Sequence, residues 1–352
     1  MSGLVAEPGG RAPAAVAQRG TPLLAVRQLR LEARGPEGRA VVVDGMDLEV
    51  HPGRVTALVG ESGSGKSLSA LAVLGLLPPG VRLVGGSAQL AGRGELLGLA
   101  ERQLRRVRGA EIGIVFQEPM SALNPVMRVG AQVREAIEAH PGPRGRAARA
   151  RALELLRQVG IPEPELRYRS YPHELSGGMK QRVAIAIALA AGPRVLIADE
   201  PTTALDVTVQ AQVLELLLRL GRERGLGLWL ITHDLGVVAE MADEVVVMYA
   251  GAVVERAPAA ELFARPLHPY TRGLLRSLPR VHGARRRRLE AIPGAVPPPH
   301  LRPGGCRFRN RCPLAAERCA EHEPPLAEQE PGRQVACWFA GAEGQPAHSG
   351  RT

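Results

Sequence analysis

Aromatic residues make up only 3% of this 352-residue chain, and none occurs before Phe116. That scarcity argues against a surface on which nucleic-acid bases stack. Lysine is nearly missing too: Lys66 and Lys180 are the two lysines among 45 basic residues, the rest being arginine. No apolar run approaches the ~20 residues a membrane helix needs. The best candidates, Leu68–Leu77 and Val183–Ala191, are short and contain Ser or Gly, or stop at Gly-Pro. The first 21 residues mix Ala, Gly, Pro and Arg without the apolar core of a signal peptide, so a cytosolic chain is expected. The formal charge of +10 by itself fits nucleic acid or an anionic membrane surface. With so few aromatics, a nucleic-acid partner is not expected.

What is present suits a folded α/β protein. Hydrophobic residues account for 45%, charged residues for 23%, and the mean hydropathy is -0.05. This length can bury one large domain plus an extension, or two modest domains. Residues 1–22 read as a flexible tail. Strand patterns follow near residues 24–31 and 40–50, then a buried apolar strand at 55–59 and a helix at 67–77 stopped by Pro78-Pro79-Gly80. A strand is expected at 113–116, helices and Pro-punctuated loops from about 130 to 170, and a helix at 183–191. A strand at 195–198, a long amphipathic helix at 207–224 and strands at 228–232 and 244–249 complete an alternating pattern, that of an α/β nucleotide-binding fold. After Pro258 the composition shifts to Pro and Arg, and all four cysteines fall between 306 and 337.

Gly60-Glu61-Ser62-Gly63-Ser64-Gly65-Lys66-Ser67 fits the phosphate-loop pattern G-x-x-x-x-G-K-[ST] without a mismatch. Glycines permit a tight loop whose N–H groups face an anion, and the following helix adds its positive end. Lys66 would place a point charge on the β- and γ-phosphates, and the Ser67 hydroxyl would ligate Mg²⁺. The apolar run Val195-Leu-Ile-Ala ends in Asp199-Glu200, delivering two carboxylates to the ligand edge of a parallel sheet. Asp199 would hold Mg²⁺ and Glu200 would orient or deprotonate the attacking water.

Leu175-Ser176-Gly177-Gly178-Met179-Lys180-Gln181 ahead of an Ala/Ile-rich helix resembles the signature motif of ABC ATPases. The resemblance covers residues 23–256. It implies a P-loop ATPase domain with a RecA-like core, an antiparallel β subdomain and a helical subdomain at about 118–182. It further implies that the signature segment meets the γ-phosphate held by an opposing subunit. Gln117 matches the family's Q-loop and joins Ser67 and Asp199 as an implied Mg²⁺ ligand. Asp206 in Ala204-Leu205-Asp206 matches the D-loop, and His233 matches the switch histidine. Glu200, Gln117 and His233 are thus the expected catalytic residues. Two departures stand out: Met179 replaces the usual Gln, and the adenine-stacking aromatic is missing. Stacking is worth about 1–3 kcal/mol, so its loss would weaken binding roughly 5- to 150-fold. Arg39 over the adenine face is one candidate replacement, at ~0.5–2 kcal/mol.

The stretch from Leu267-His-Pro-Tyr to Leu278-Pro279, then Ile292-Pro-Gly and the cysteines, resembles the C-terminal extension of dipeptide/oligopeptide importer ATPases, which nickel importers share. This assigns residues 257–345 to such an extension. The implied assembly is a second ATPase subunit, a paralogue rather than an identical copy, with two transmembrane permeases and an extracytoplasmic solute-binding protein. Its place would be the cytoplasmic face of the cell membrane. Cys306, Cys312, Cys319 and Cys337 are spaced more widely than common zinc pairs. A [4Fe–4S] cluster, zinc and free thiols all stay open for them, the resemblance implying the cluster. Arg285–Arg288 fits a solvated linker or a contact with anionic lipid. The expected function is ATP hydrolysis that drives import of peptides, or of nickel or another small solute. A soluble ABC ATPase acting on nucleic acid or the ribosome, and an iron–sulfur redox sensor, are the alternatives from other classes.

Overall fold

The computed structural model describes residues 20–341 apart from 36, 118–122, 204 and 278–290. Most of the expected tail, Ala204, the start of the helical subdomain and the Arg285–Arg288 run therefore lie outside the described residues.

Two strands, β1 (Leu24–Gly35) and β2 (Gly38–Val50), pair antiparallel. With β4 (Val81–Leu90) and β5 (Gly94–Glu95) they form a four-stranded sheet in the order β2-β1-β4-β5. Leu24, Val26, Leu29 and Leu31 are buried while their neighbours are largely half-exposed, the alternation of a sheet with one wet face.

The second sheet carries the chemistry. Its parallel part runs in the order β9 (Glu244–Tyr249), β3 (Val55–Val59), β8 (Gly227–Thr232), β7 (Val195–Asp199) and β6 (Ile112–Val115). Every residue of β3, β7, β8 and β9 is buried, as befits strands covered on both faces. The helix α1 (Lys66–Val73) follows β3, and α2 (Glu101–Val107) precedes β6. Between β6 and β7 lies a helical unit: α3 (Val129–Glu138), α4 (Gly145–Gln158), α5 (Pro164–Arg167) and α6 (Gly177–Ala188). In α4 the buried Ala148, Ala152, Leu155 and Leu156 fall on one face and share a core with Val133, Ile137 and Val183. Helix α7 (Val207–Arg224) leads into β8, and α8 (Leu235–Met241) into β9.

The sheet does not end with the ATPase-like pattern. Antiparallel β10 (Ala252–Pro258) pairs with β9, and a late hairpin, β11 (Ala327–Glu330) and β12 (Arg333–Val335), adds to β10. The sheet therefore reads β11-β12-β10-β9-β3-β8-β7-β6, with β11 and β12 contributed by the extension. Among the described residues the extension also carries helices α9 (Ala259–Ala264), α10 (Pro269–Arg276) and α11 (Glu317–Glu321) and two short 3₁₀ turns, at 299–301 and 309–311. Tyr270 and Phe308 from this region join Tyr249 of β9 in one buried aromatic group, with ring centroids 4.8 to 5.4 Å apart.

Candidate active site

Neighbouring parallel strands β3, β8, β7 and β6 each end at the same sheet edge, where ligands bind in open α/β sheets. The turn after β3 is the phosphate loop, and β7 ends in Asp199 and Glu200. His233 follows β8, and Gln117 follows β6 by two residues. The sheet order thus gathers four sequence-distant motifs.

The loop needs its glycines for space as well as conformation. Gly65 caps α1 with φ of 101°, and a Cβ there would fall 2.8 Å from a Val43 methyl carbon. At Gly60 a Cβ would lie 2.2 Å from the Met248 carbonyl oxygen. Lys66 is buried, its ammonium folded back onto the carbonyls of Gly60 at 2.7 Å and Glu61 at 3.0 Å. Burial pulls its pKa below the ordinary lysine value, although the carboxylates of Glu200, Asp199 and Glu61 act the other way. Ser62 and Gly63 stay exposed at the loop's tip, while Ser64 is buried against Lys66.

Ser67 donates its hydroxyl to Asp199 at 3.0 Å, which brings two hard oxygen donors together beside the loop, a set that suits Mg²⁺. Burial and the neighbouring Glu200 charge raise the Asp199 pKa, with Ser67 and Lys66 opposing. Glu200 shifts the opposite way. Partial burial would raise its pKa, but hydrogen bonds to His233 and Thr203 and the charges of His233 and Lys66 hold it below the ordinary value. Glu200 sits at φ of 46°, a costly setting for a side chain of this kind. One carboxylate oxygen meets His233 Nδ1 at 3.0 Å; the other accepts from Gln117 Nε2 at 3.1 Å and Thr203 Oγ1 at 2.9 Å. All three expected catalytic residues are therefore in direct contact. Gln117 contacts Glu200 here rather than the Ser67–Asp199 pair.

The signature residues lie at the start of α6. Ser176 caps that helix by accepting from the Met179 N–H at 3.3 Å, and Ser176 and Gly177 are exposed. Leu175, Gly178 and Gln181 are buried, and Met179 packs against the helical core. The exposed Ser-Gly end leaves a helix N-terminus open to an anion from outside the chain. Asp206 caps α7 through the Val209 N–H at 3.0 Å. Arg39 is exposed next to the β1–β2 turn.

The four cysteines are free of disulfides and line one small cavity with Phe308, Leu314 and Trp338. Burial and neighbouring thiols push Cys312 up to about 12 and Cys337 up to about 11. Among the described residues, no group of three or more His, Cys, Asp or Glu side chains is arranged to hold a metal ion. No helix there is long and apolar enough to cross a membrane.

Three residues join this site without any sequence signal that tied them to it. Thr203 follows Glu200 by three positions in a turn. Tyr270 accepts the Glu61 N–H at 2.9 Å, and Arg311 pairs with the Glu61 carboxylate at 3.0 Å. Both lie more than 200 residues from the loop they touch, so no local pattern could reveal them.

A relative from Sinorhizobium fredii, the probable peptide ABC transporter ATP-binding protein y4tR, is 50% identical over 90% of this chain and 94% of its own length. The chain belongs to the ABC transporter ATP-binding family. The family model "ABC transporter" matches residues 43–203, and the model "Oligopeptide/dipeptide transporter, C-terminal region" matches residues 254–319. The oligopeptide transport ATP-binding protein AppD of Bacillus subtilis is 49% identical over 86% of this ABC protein and 92% of its own length. Among solved structures, the ATP-binding cassette MJ0796, a dimer in a post-hydrolysis state with ADP and Pi, superposes with a TM-score of 0.60. It is 27% identical, over 67% of this chain and 98% of the cassette. The cbiO1 protein of Clostridium perfringens, part of an ABC transporter complex, has a TM-score of 0.59 at 30% identity, covering 69% of this chain and 91% of its own. This ABC protein is an ATPase with the cassette fold, and it binds ATP with Mg²⁺.

Proposed function

We propose that this ABC ATPase drives import of short peptides across the cytoplasmic membrane from its cytoplasmic face. It would act with a paralogous ATPase subunit, two permeases and an extracytoplasmic binding protein. The observation that carries the cargo is the extension: its match over residues 254–319 is to an oligopeptide/dipeptide transporter region, and the relatives above are named for peptides. Nickel or another small solute is the alternative cargo, which these matches do not favour.

In this reading, the loop N–H groups and Lys66 bind the β- and γ-phosphates, Lys66 leaving the carbonyls it now occupies. Ser67 and Asp199 would hold Mg²⁺, which neutralises charge on the transferring phosphoryl group. Glu200 takes the proton of the attacking water, and Gln117 and His233 fix the carboxylate and that water in line. Ser176–Gly178 close over the γ-phosphate held by the opposing subunit, so hydrolysis reopens the pair. The missing aromatic leaves base choice to weaker contacts such as Arg39, and GTP would compete with ATP within about tenfold. For the cysteine quartet a [4Fe–4S] cluster, zinc and free thiols are the readings; the four thiols share one cavity but are not arranged around a metal site here. Iron and sulfide analysis of anaerobically purified protein checks that part.

The test of cargo is ATP hydrolysis by the complex in liposomes, challenged with binding protein plus short peptides or nickel. Stimulation by peptides is expected. Stimulation by nickel alone would overturn the peptide reading and leave the ATPase mechanism standing.

A further inference from the structure

Glu61, the second residue of the phosphate loop, is gripped from both sides by the C-terminal extension. Its backbone N–H donates to the Tyr270 hydroxyl at 2.9 Å. Its carboxylate takes both contacts from Arg311 Nη1, at 3.0 and 3.2 Å. Arg311 is itself locked in place: its side chain is 6% exposed, its Nε donates to the Pro293 carbonyl at 2.8 Å, and its guanidinium lies 5.7 Å from the centre of the Tyr249 ring. Tyr270 is fully buried, wedged against Tyr249 and Phe308. Its own N–H is fixed by His268 Nδ1 at 3.0 Å. The neighbouring residues Gly60 and Glu61 present the carbonyls on which Lys66 rests. A loop that must aim successive N–H groups at phosphate loses affinity when its backbone wanders, because binding must then order it.

We propose that Arg311 and Tyr270 are positioning residues for nucleotide binding, holding the phosphate loop in its phosphate-accepting shape through Glu61. The inference rests on the ATP-binding reading of that loop. It makes the extension part of the nucleotide site's support. The ion pair is substantially desolvated, so removal of the guanidinium frees the loop on its carboxylate side, while loss of the phenol hydroxyl frees the backbone.

The experiment is calorimetric titration of MgATP into full-length protein, with KM and kcat measured in the assembled complex. Tyr270→Phe keeps the ring packing and removes only the hydroxyl; it should raise the MgATP Kd roughly 3- to 10-fold. Arg311→Ala should raise it roughly 10- to 30-fold, with Arg311→Lys recovering part of the loss. KM should follow Kd, while kcat at saturating ATP stays within about twofold. A merely structural role would instead lower the active fraction and kcat and leave Kd alone. Glu61→Gln combined with Arg311→Ala should be no worse than Arg311→Ala alone, since both act on one contact. Fully additive losses would mean Arg311 works independently of Glu61 and would overturn the proposal. So would Kd values within twofold of the parent for both Tyr270→Phe and Arg311→Ala. If the unmodified chain fails to bind MgATP, the ATP-binding reading fails, and this inference with it.

Discussion

The phosphate site and the extension differ in how their sequence becomes structure. Residues 60–67 carry loop, charge and hydroxyl in eight consecutive positions, and a parallel strand order brings Gln117, Asp199, Glu200 and His233 to meet them. The extension is seated by single contacts scattered over the chain. Glu255 receives the N–H groups of Leu267 and His268 at 2.8 and 2.9 Å. Arg307 reaches the Ala250 carbonyl at 3.0 Å and Asp44 at 2.5 Å, and Ala336 donates to Val254 at 2.8 Å. One region is set by chemistry in consecutive positions; the other is set by contacts between distant residues. Mutations should therefore separate them: changes in the first should remove activity and spare the fold, and changes in the second, Tyr270 and Arg311 at the loop apart, should cost stability and spare the chemistry.

The largest effect should come from Lys66→Ala. Among the described residues its ammonium bonds Gly60, Glu61 and Ser64 of the loop, so melting should stay within a few degrees of the parent. MgATP affinity should fall roughly 30- to 1,000-fold, the loss expected when one partner of a desolvated charge pair is removed. Unchanged affinity by calorimetry would erase the distinction between the two regions.

Glu255→Ala should show the opposite pattern. Two N–H groups lose their acceptor in a fully buried place, a destabilisation of about 2–5 kcal/mol in urea unfolding. Burial raises the Glu255 pKa above 4.5, so the native state holds a proton the unfolded state has lost. On this group's account, stability falls as pH rises from 4.5 through that raised value, then levels off. Glu255→Gln keeps an acceptor oxygen and should flatten this slope. A steeper slope in Glu255→Gln would contradict the assignment.

The cysteines sharpen the contrast in metal-free protein. With Cys312 pushed up to about 12 and Cys337 to about 11, alkylation at pH 7 should run about 100-fold or more slower than for a free thiol. Fast labelling of both, followed by mass spectrometry, would contradict the raised thiol pKa values. The smallest effect should be Arg318→Ala. It removes a guanidinium 3.8 Å from the centre of the Trp338 ring and should cost about 0.5–1 kcal/mol in unfolding while leaving ATP turnover alone.

The same contrast explains what could be read in advance. Parallel strands announce themselves as short apolar runs, and Val195–Asp199 and Glu244–Tyr249 lie where the pattern put them. Helix α7 begins and ends as expected because Asp206 caps it and Gly225, in the left-handed region at φ of 62°, ends it. The helix after the phosphate loop stops earlier than the pattern suggested, at Val73 rather than residue 77, since Gly75 adopts φ of 62°. Strands β4, β5, β10, β11 and β12 passed unnoticed. β4 contains Gly85 and Gly86, β11 is polar and partly exposed, and β12 has only three residues, so the hairpin's pairing with β10 is fixed by distant partners and not by its own pattern. Within the site, the motif residues were legible because their chemistry needs fixed spacing. Thr203, Tyr270 and Arg311 were not, since each is defined by what it touches.

The central claim is that Glu200, held by Gln117, Thr203 and His233, activates the attacking water. Its most direct test is Glu200→Gln in the assembled complex, with MgATP binding and single-turnover hydrolysis measured on one preparation. The account predicts MgATP affinity within a few-fold of the parent, turnover lower by roughly 10²- to 10⁴-fold, and uncleaved ATP retained by the protein. Normal turnover in that variant would contradict it and place water activation on another group.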